Sequence, residues 1–224
     1  MKKLKFPVVL LLVLLSFFTV CNAAETDINS ARNEKTDLVA GHSIFVAGGI
    51  SHIATEVDMD YLHSGEPRIG GNVQVGYEWI SSKKIGVGFL YDGYFTGFTM
   101  CVPVSGGYSA AFPKGRWGLH YFAPQFVGRI TLRSDKWMLN YGVGAGLFMS
   151  YECLKYEGKP LAKNYDYGIG LNGSFGVEFR LSKAIGLTAG LTLLEGYVDQ
   201  EYYGETLSSS MLRVNLDLGL KCHF

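Results

Sequence analysis

The sequence predicts an all-β fold, an eight-stranded antiparallel up-and-down transmembrane β-barrel. Three observations carry that prediction. Apolar side chains recur at every second position through eight long segments, the connections between those segments alternate short and long, and the chain finishes on an unbroken comb. In SSMLRVNLDLGLKCHF, Leu212, Val214, Leu216, Leu218, Leu220, Cys222 and Phe224 alternate with Arg213, Asn215, Asp217, Gly219, Lys221 and His223. A period of two sustained over this length is the signature of a strand.

Before the first strand come two other segments. MKKLKFPVVLLLVLLSFFTVCNAA has a short basic head, an apolar run from Phe6 to Val20 and small residues after it, the layout of a secretory signal peptide over residues 1–23. Val20 ahead of Cys21 is bulky for a lipidation site. Residues 24–40 are polar and aperiodic and read as a flexible extension, leaving 41–224 for the barrel. Lys plus Arg equal Asp plus Glu at 20 each, and three of the basic residues (Lys2, Lys3, Lys5) lie in the head, a balance that argues against nucleic acid as a partner.

The strands are expected at about 42–53, 67–80, 85–95, 117–130, 137–151, 165–180, 185–195 and 210–224. In the first, alternation blurs around Gly48 and Gly49. In the second, Ile69, Val73, Val75, Tyr77 and Trp79 share a face. The fourth contains Pro124, which lacks a backbone donor, so a bulge or local break is expected there and its faces stay unassigned. In the fifth, Trp137 through Tyr151 oppose Asn140 and glycines at 142, 144 and 146. The sixth sets Tyr165 to Phe179 against Asp166, Glu178 and Arg180. Connections at 81–84, 131–136 and 181–184 are short, whereas 54–66, 96–116, 152–164 and 196–209 are long. That order means antiparallel hairpins with every tight turn at one end.

The polar comb is rich in glycine and poor in the Lys and Glu of a wet surface, so it fits a cramped interior rather than a solvated face. Eight strands enclose a bore just wide enough for side chains, and closure satisfies the backbone in hydrocarbon. The apolar comb then faces lipid. Trp79, Trp137, Phe179 and Phe224 lie beside the short turns, and Tyr91, Tyr151, Tyr165 and Tyr167 near the long loops, as two interfacial aromatic girdles. Arg68, Glu78, Asp92, Asp166, Glu178, Arg180, Arg213, Asp217 and Lys221 are expected inside as a charge network, since buried charges must pair. A gated channel or proton path is the alternative use of the same residues.

With these features in place, residues 41–224 resemble the small eight-stranded outer-membrane barrels, the family of the OmpA membrane domain and OmpX. The resemblance implies that Phe224, with Leu216, Leu218, Leu220 and the less typical Cys222, is the signal read by the barrel-assembly machinery. It also implies a bacterial outer membrane, periplasmic termini and extracellular long loops.

No constellation demands catalysis. Histidines 42, 52, 63, 120 and 223 are scattered without metal-ligand spacing, and Ser51 beside His52 would face the opposite way in a strand. No catalytic residue, metal site or cofactor is expected. Cys101 and Cys153 fall in, or at the foot of, neighbouring long loops, which leaves a disulfide and two free thiols both open. Outer-membrane lipid is the expected surroundings. An extracellular ligand would meet the loops at 54–66, 96–116, 152–164 and 196–209. The favoured role is structural or surface interaction, followed by a narrow channel or carrier for small solutes, and then a lipid-modifying enzyme.

Overall fold

The structure, a computed structural model, describes residues 40–55, 62–64, 67–103, 110–132, 136–202 and 205–224. The expected signal peptide, nearly all of the extension and parts of the long loops lie outside the described residues.

Eight strands form the wall: β1 Gly41–Ile53, β2 Ile69–Ile80, β3 Ile85–Met100, β4 Lys114–Thr131, β5 Trp137–Tyr156, β6 Lys159–Arg180, β7 Ile185–Tyr202 and β8 Glu205–His223. Each pairs antiparallel with its sequence neighbours, and β1 pairs with β8, so the sheet is a closed ring. The closing seam runs from Ser43 opposite His223 to Ile53 opposite Arg213. Two short pieces decorate the loop end. Leu62–Ser64 pairs beside β3, and Val102–Pro103 pairs with Ala110–Ala111.

Burial inverts the usual rule for a soluble domain. Leu218 and Phe126 are 73% and 72% exposed, whereas Arg213 and Asp92 are 0% exposed. A ring whose outside is apolar and whose inside holds charge is stable only where the outside meets hydrocarbon. Glycine lets neighbouring strands approach. A Cβ on Gly86 would lie 1.8 Å from the Trp79 carbonyl oxygen, and one on Gly146 would lie 2.0 Å from that of Phe122.

Two expectations change. The strands extend past the girdles on the loop side. Residues 152–164 are not a long loop, because β5 and β6 stay paired to Tyr156 and Lys159 around Glu157-Gly158, both with positive φ (48° and 80°). That is the geometry of a tight primed hairpin turn. Likewise most of 196–209 is strand, with Tyr202 opposite Glu205. Alternation fades in these extensions because both faces are wet beyond the membrane zone. At Pro124 the expected local break is present, without a bulge: pairing of β4 with β5 skips Ala123 and Pro124 and resumes in the same register, and β4 stays paired with β3 throughout. With the phase kept, Trp117, Leu119, Tyr121, Gln125 and Arg129 all fall on the inner side, opposite outward Phe122 and Phe126.

Candidate functional site: the lumen and the loop-side rim

The interior has three tiers. Nearest the short turns, Glu78 accepts hydrogen bonds from Lys221 Nζ (2.9 Å) and Arg129 Nη2 (3.0 Å), with the Ser43 hydroxyl at 3.4 Å. Glu178 accepts from His223 Nε2 (2.7 Å), Arg180 Nε (3.2 Å) and Asn140 Nδ2 (3.4 Å). Arg129 Nε donates to Asn140 Oδ1 at 2.9 Å and ties the two groups together. The guanidinium groups of Arg180 and Arg129 point at His223 Nδ1 (3.2 and 3.5 Å). That nitrogen must therefore accept, and the ring proton sits on Nε2, aimed at Glu178.

The middle tier is built around Asp92. It accepts from Arg213, from Asn215 Nδ2 (2.6 Å) and from Gln74 Nε2 (2.9 Å). Ser51 donates to Asn215 Oδ1 at 2.6 Å, and Asn72 donates to Asp217. Arg213 also stacks over the Tyr94 ring, 5.7 Å from its centroid. Among the described buried residues, four carboxylates (Glu78, Asp92, Glu178, Asp217) face four cations (Arg129, Arg180, Arg213, Lys221). The filling is neutral as a whole, with one extra positive charge below and one extra negative charge above, because three of the cations lie in the lower tier.

The third tier, toward the loops, is apolar. Ile53, Leu90, Tyr94, Leu119, Tyr121, Phe148 and Leu194 form one buried cluster. Its polar tips are satisfied: Tyr94 donates to the Pro67 carbonyl (2.6 Å), Tyr121 to Asn172 Oδ1 (3.0 Å) and Trp117 Nε1 to Ser150 Oγ (2.9 Å). This cluster corrects the picture of a bore filled by glycine and charge alone. Below it lies a cavity of about 80 Å³ of mixed lining, with Gln74, Gln125, Asn140, Thr192, Asp217 and Lys221 beside Phe45, Leu90, Val127 and other apolar side chains. Gln125 Nε2 and Asp217 Oδ2 have no hydrogen-bond partner among the described residues.

Of the charges expected inside, Glu78, Asp92, Glu178, Arg180, Arg213, Asp217 and Lys221 lie in the two polar tiers. Asp166 is half-buried near the rim, opposite Ser150 and outside those tiers. Arg68 is exposed, in the turn that precedes β2, because inner-face counting stops where the strand begins at Ile69. Arg129 and His223 were missed as network members, although every second residue back from Arg129 leads along the inner side of β4. Cys101 and Cys153 are free thiols in the structure, half-buried and buried.

The girdle residues stand on the outside. Trp137 packs on Phe179 with centroids 4.8 Å apart and Tyr151 on Tyr165 at 4.9 Å; Trp79, Tyr167 and Phe224 are exposed and Tyr91 packs on Phe122. Phe224 stacks on His42, whose Nδ1 lies 2.6 Å from the Tyr77 hydroxyl. Leu216 and Leu218 face outward and exposed, while Cys222 is buried beside Leu220. His52 is exposed while its neighbour Ser51 is buried and committed to Asn215, so the two form no catalytic pair. Among the described residues no cluster of His, Cys, Asp and Glu is fit to hold a metal.

At the rim, Thr99, Phe112, Lys114, Arg116, Lys155 and Tyr156 line a cleft of about 790 Å³, with Glu157 its one acid.

The sequence matches no family model and no curated protein. Among solved structures the chain is similar to Neisserial surface protein A, at 13% identity over 83% of this chain and 98% of that one, with a TM-score of 0.49. It is similar to Ail of Yersinia pestis, solved with the heparin analogue sucrose octasulfate, at 14% identity over 83% and 99% with a TM-score of 0.49. A third is the outer membrane protein OprG of Pseudomonas aeruginosa, at 10% identity over 83% and 98% with a TM-score of 0.43.

Proposed function

We propose that this chain is an integral protein of the bacterial outer membrane, non-enzymatic, whose barrel is a rigid pedestal and whose loop-side end does the interacting. The short turns and both ends of the barrel lie on the periplasmic side, and the long connections lie outside the cell. The single observation that carries this reading is the seal. A buried apolar cluster across the upper bore stands over two tiers of paired charge, which supports a closed lumen over a conducting one. Chemistry is then left to the surfaces, and a cleft of about 790 Å³ opens at the rim.

Phe224 and the outward residues before it support a role in recognition by the assembly machinery, because the terminal ring is held outside the barrel against His42. The test of the main reading is deletion of residues 98–112. The variant should keep the change in gel mobility on boiling that marks a closed barrel and should lose surface binding. A variant that keeps every surface phenotype refutes the reading.

A second reading, a narrow carrier for small solutes, is favoured by the cavity of mixed lining beneath the cluster. Steady single-channel steps in a planar bilayer would establish it at the expense of the first.

A further inference from the structure

Above the Tyr151–Tyr165 pair, cations gather across three strands on one face. Lys114 stands opposite Lys155, and Arg116 stands opposite Cys153, whose partner on β6 is Lys163. Counting by twos from Tyr151 and Tyr165 puts all four cations on the outer, girdle-bearing side. All four are exposed, and none forms an ion pair among the described residues. The acids in the same rows, Glu152 and Asp166, have the inner-face phase. Two like charges directly opposite in a ladder are destabilising. Here four cations share the face with one carboxylate, Glu157, which lines the same cleft and forms no ion pair with them among the described residues, and the uncompensated charge is what a bound anion would offset.

Their height points to the occupant. Lys155 lies four residues beyond Tyr151, about 13 Å along the strand and less along the barrel axis after tilt. Interfacial aromatics mark the edge of the hydrocarbon, and the polar layer beyond it is about 5–8 Å thick per leaflet. The cations therefore lie in the headgroup layer and just outside it. We propose that Lys114, Arg116, Lys155 and Lys163 form a collar that binds the phosphate groups of an anionic glycolipid in the surrounding outer leaflet. The inference rests on the membrane placement given above. Arg116 supplies the forked donor set that matches a phosphate, and the lysines supply point charges.

The experiment uses the mature chain in phosphatidylcholine nanodiscs containing lipid A, either bis-phosphorylated or enzymatically dephosphorylated. Lipid retained by the protein and the temperature at which the boiling-sensitive gel band is lost are both read. The wild type should retain the phosphorylated lipid and gain thermal resistance from it. The K114Q/R116Q/K155Q/K163Q variant should bind it at least about tenfold more weakly, with its gel shift intact in phosphatidylcholine alone. The charge-keeping K114R/K155R variant should match the wild type. Equal retention of dephosphorylated lipid A, or an unchanged quadruple variant, overturns the proposal. Protection by soluble inositol hexakisphosphate without any effect of lipid A would assign the collar to a dissolved polyanion and overturn the lipid assignment. Failure of the wild type to give a gel shift in any lipid would instead bring down the membrane placement itself.

Discussion

Glu78→Gln is the sharpest probe of the lower tier. The carboxylate receives Arg129 at 3.0 Å and Lys221 at 2.9 Å, and the side chains concerned are 10%, 2% and 4% exposed. The amide keeps the shape and removes the charge, so the tier goes from one excess positive charge to two. Breaking a buried pair from one side costs about 3–5 kcal/mol, because the partner stays buried and unmatched. Two partners are stranded here, which argues for the upper half of that range. By contrast, Glu157→Gln at the exposed turn should change stability by less than about 0.5 kcal/mol. The assay is urea unfolding of the folded barrel in lipid, followed by loss of the boiling-sensitive band. A double variant, Glu78→Gln with Lys221→Met, should recover at least about 1 kcal/mol of the loss, since the second charge no longer lacks a counterpart. A single variant within about 1 kcal/mol of the wild type would refute the argument for the tier, as would a double variant no better than the single.

Other outcomes follow from the same geometry. Phe148→Ala should cost about 3–5 kcal/mol, as for a large buried ring removed from a core, and this is measurable in the same urea assay. Gly86→Val should prevent closure, read as the absence of a boiling-sensitive species, because its first side-chain carbon would lie 1.8 Å from the Trp79 carbonyl oxygen. Maleimide added to the folded protein should label Cys101 and spare Cys153 until unfolding, with peptide mapping as the readout. A Cys101–Cys153 cross-linked peptide would contradict that placement.

What could be read from the residues was decided by phase. Counting back by twos from Phe224 separates Arg213, Asn215, Asp217 and Lys221 from Leu212 to Leu220 without reference to any other strand. In β4 the same count was abandoned at Pro124, and with it went Arg129 and the inner ring of Leu119 and Tyr121. The proline costs one donor and leaves the phase intact. Leu90 and Phe148 gave no signal for another reason: an apolar residue on the inner side of a strand with apolar neighbours (Phe89 and Tyr91, Leu147 and Met149) gives no alternation to detect. Pairings within the lumen are beyond any local reading. Asn72 meets Asp217 across 145 positions, and Glu78 meets Lys221 across 143. Only the closed ring brings them together. The Glu157-Gly158 turn, on the other hand, was available as a hairpin dipeptide and was lost to the assumption that loops on that side are long.

The seam between β1 and β8 also sets a timetable. His42 and Phe224 exchange backbone hydrogen bonds of 3.1 and 3.0 Å, so the leading stave cannot find its mate until the final residues exist. Contacts that join such distant positions form late and slowly. The ring cannot close before β8 is available, and until then the chain carries two raw edges able to pair with any passing strand. Its survival in transit therefore depends on being kept apart from its own kind, and losing a few terminal residues should be as damaging as losing a whole hairpin.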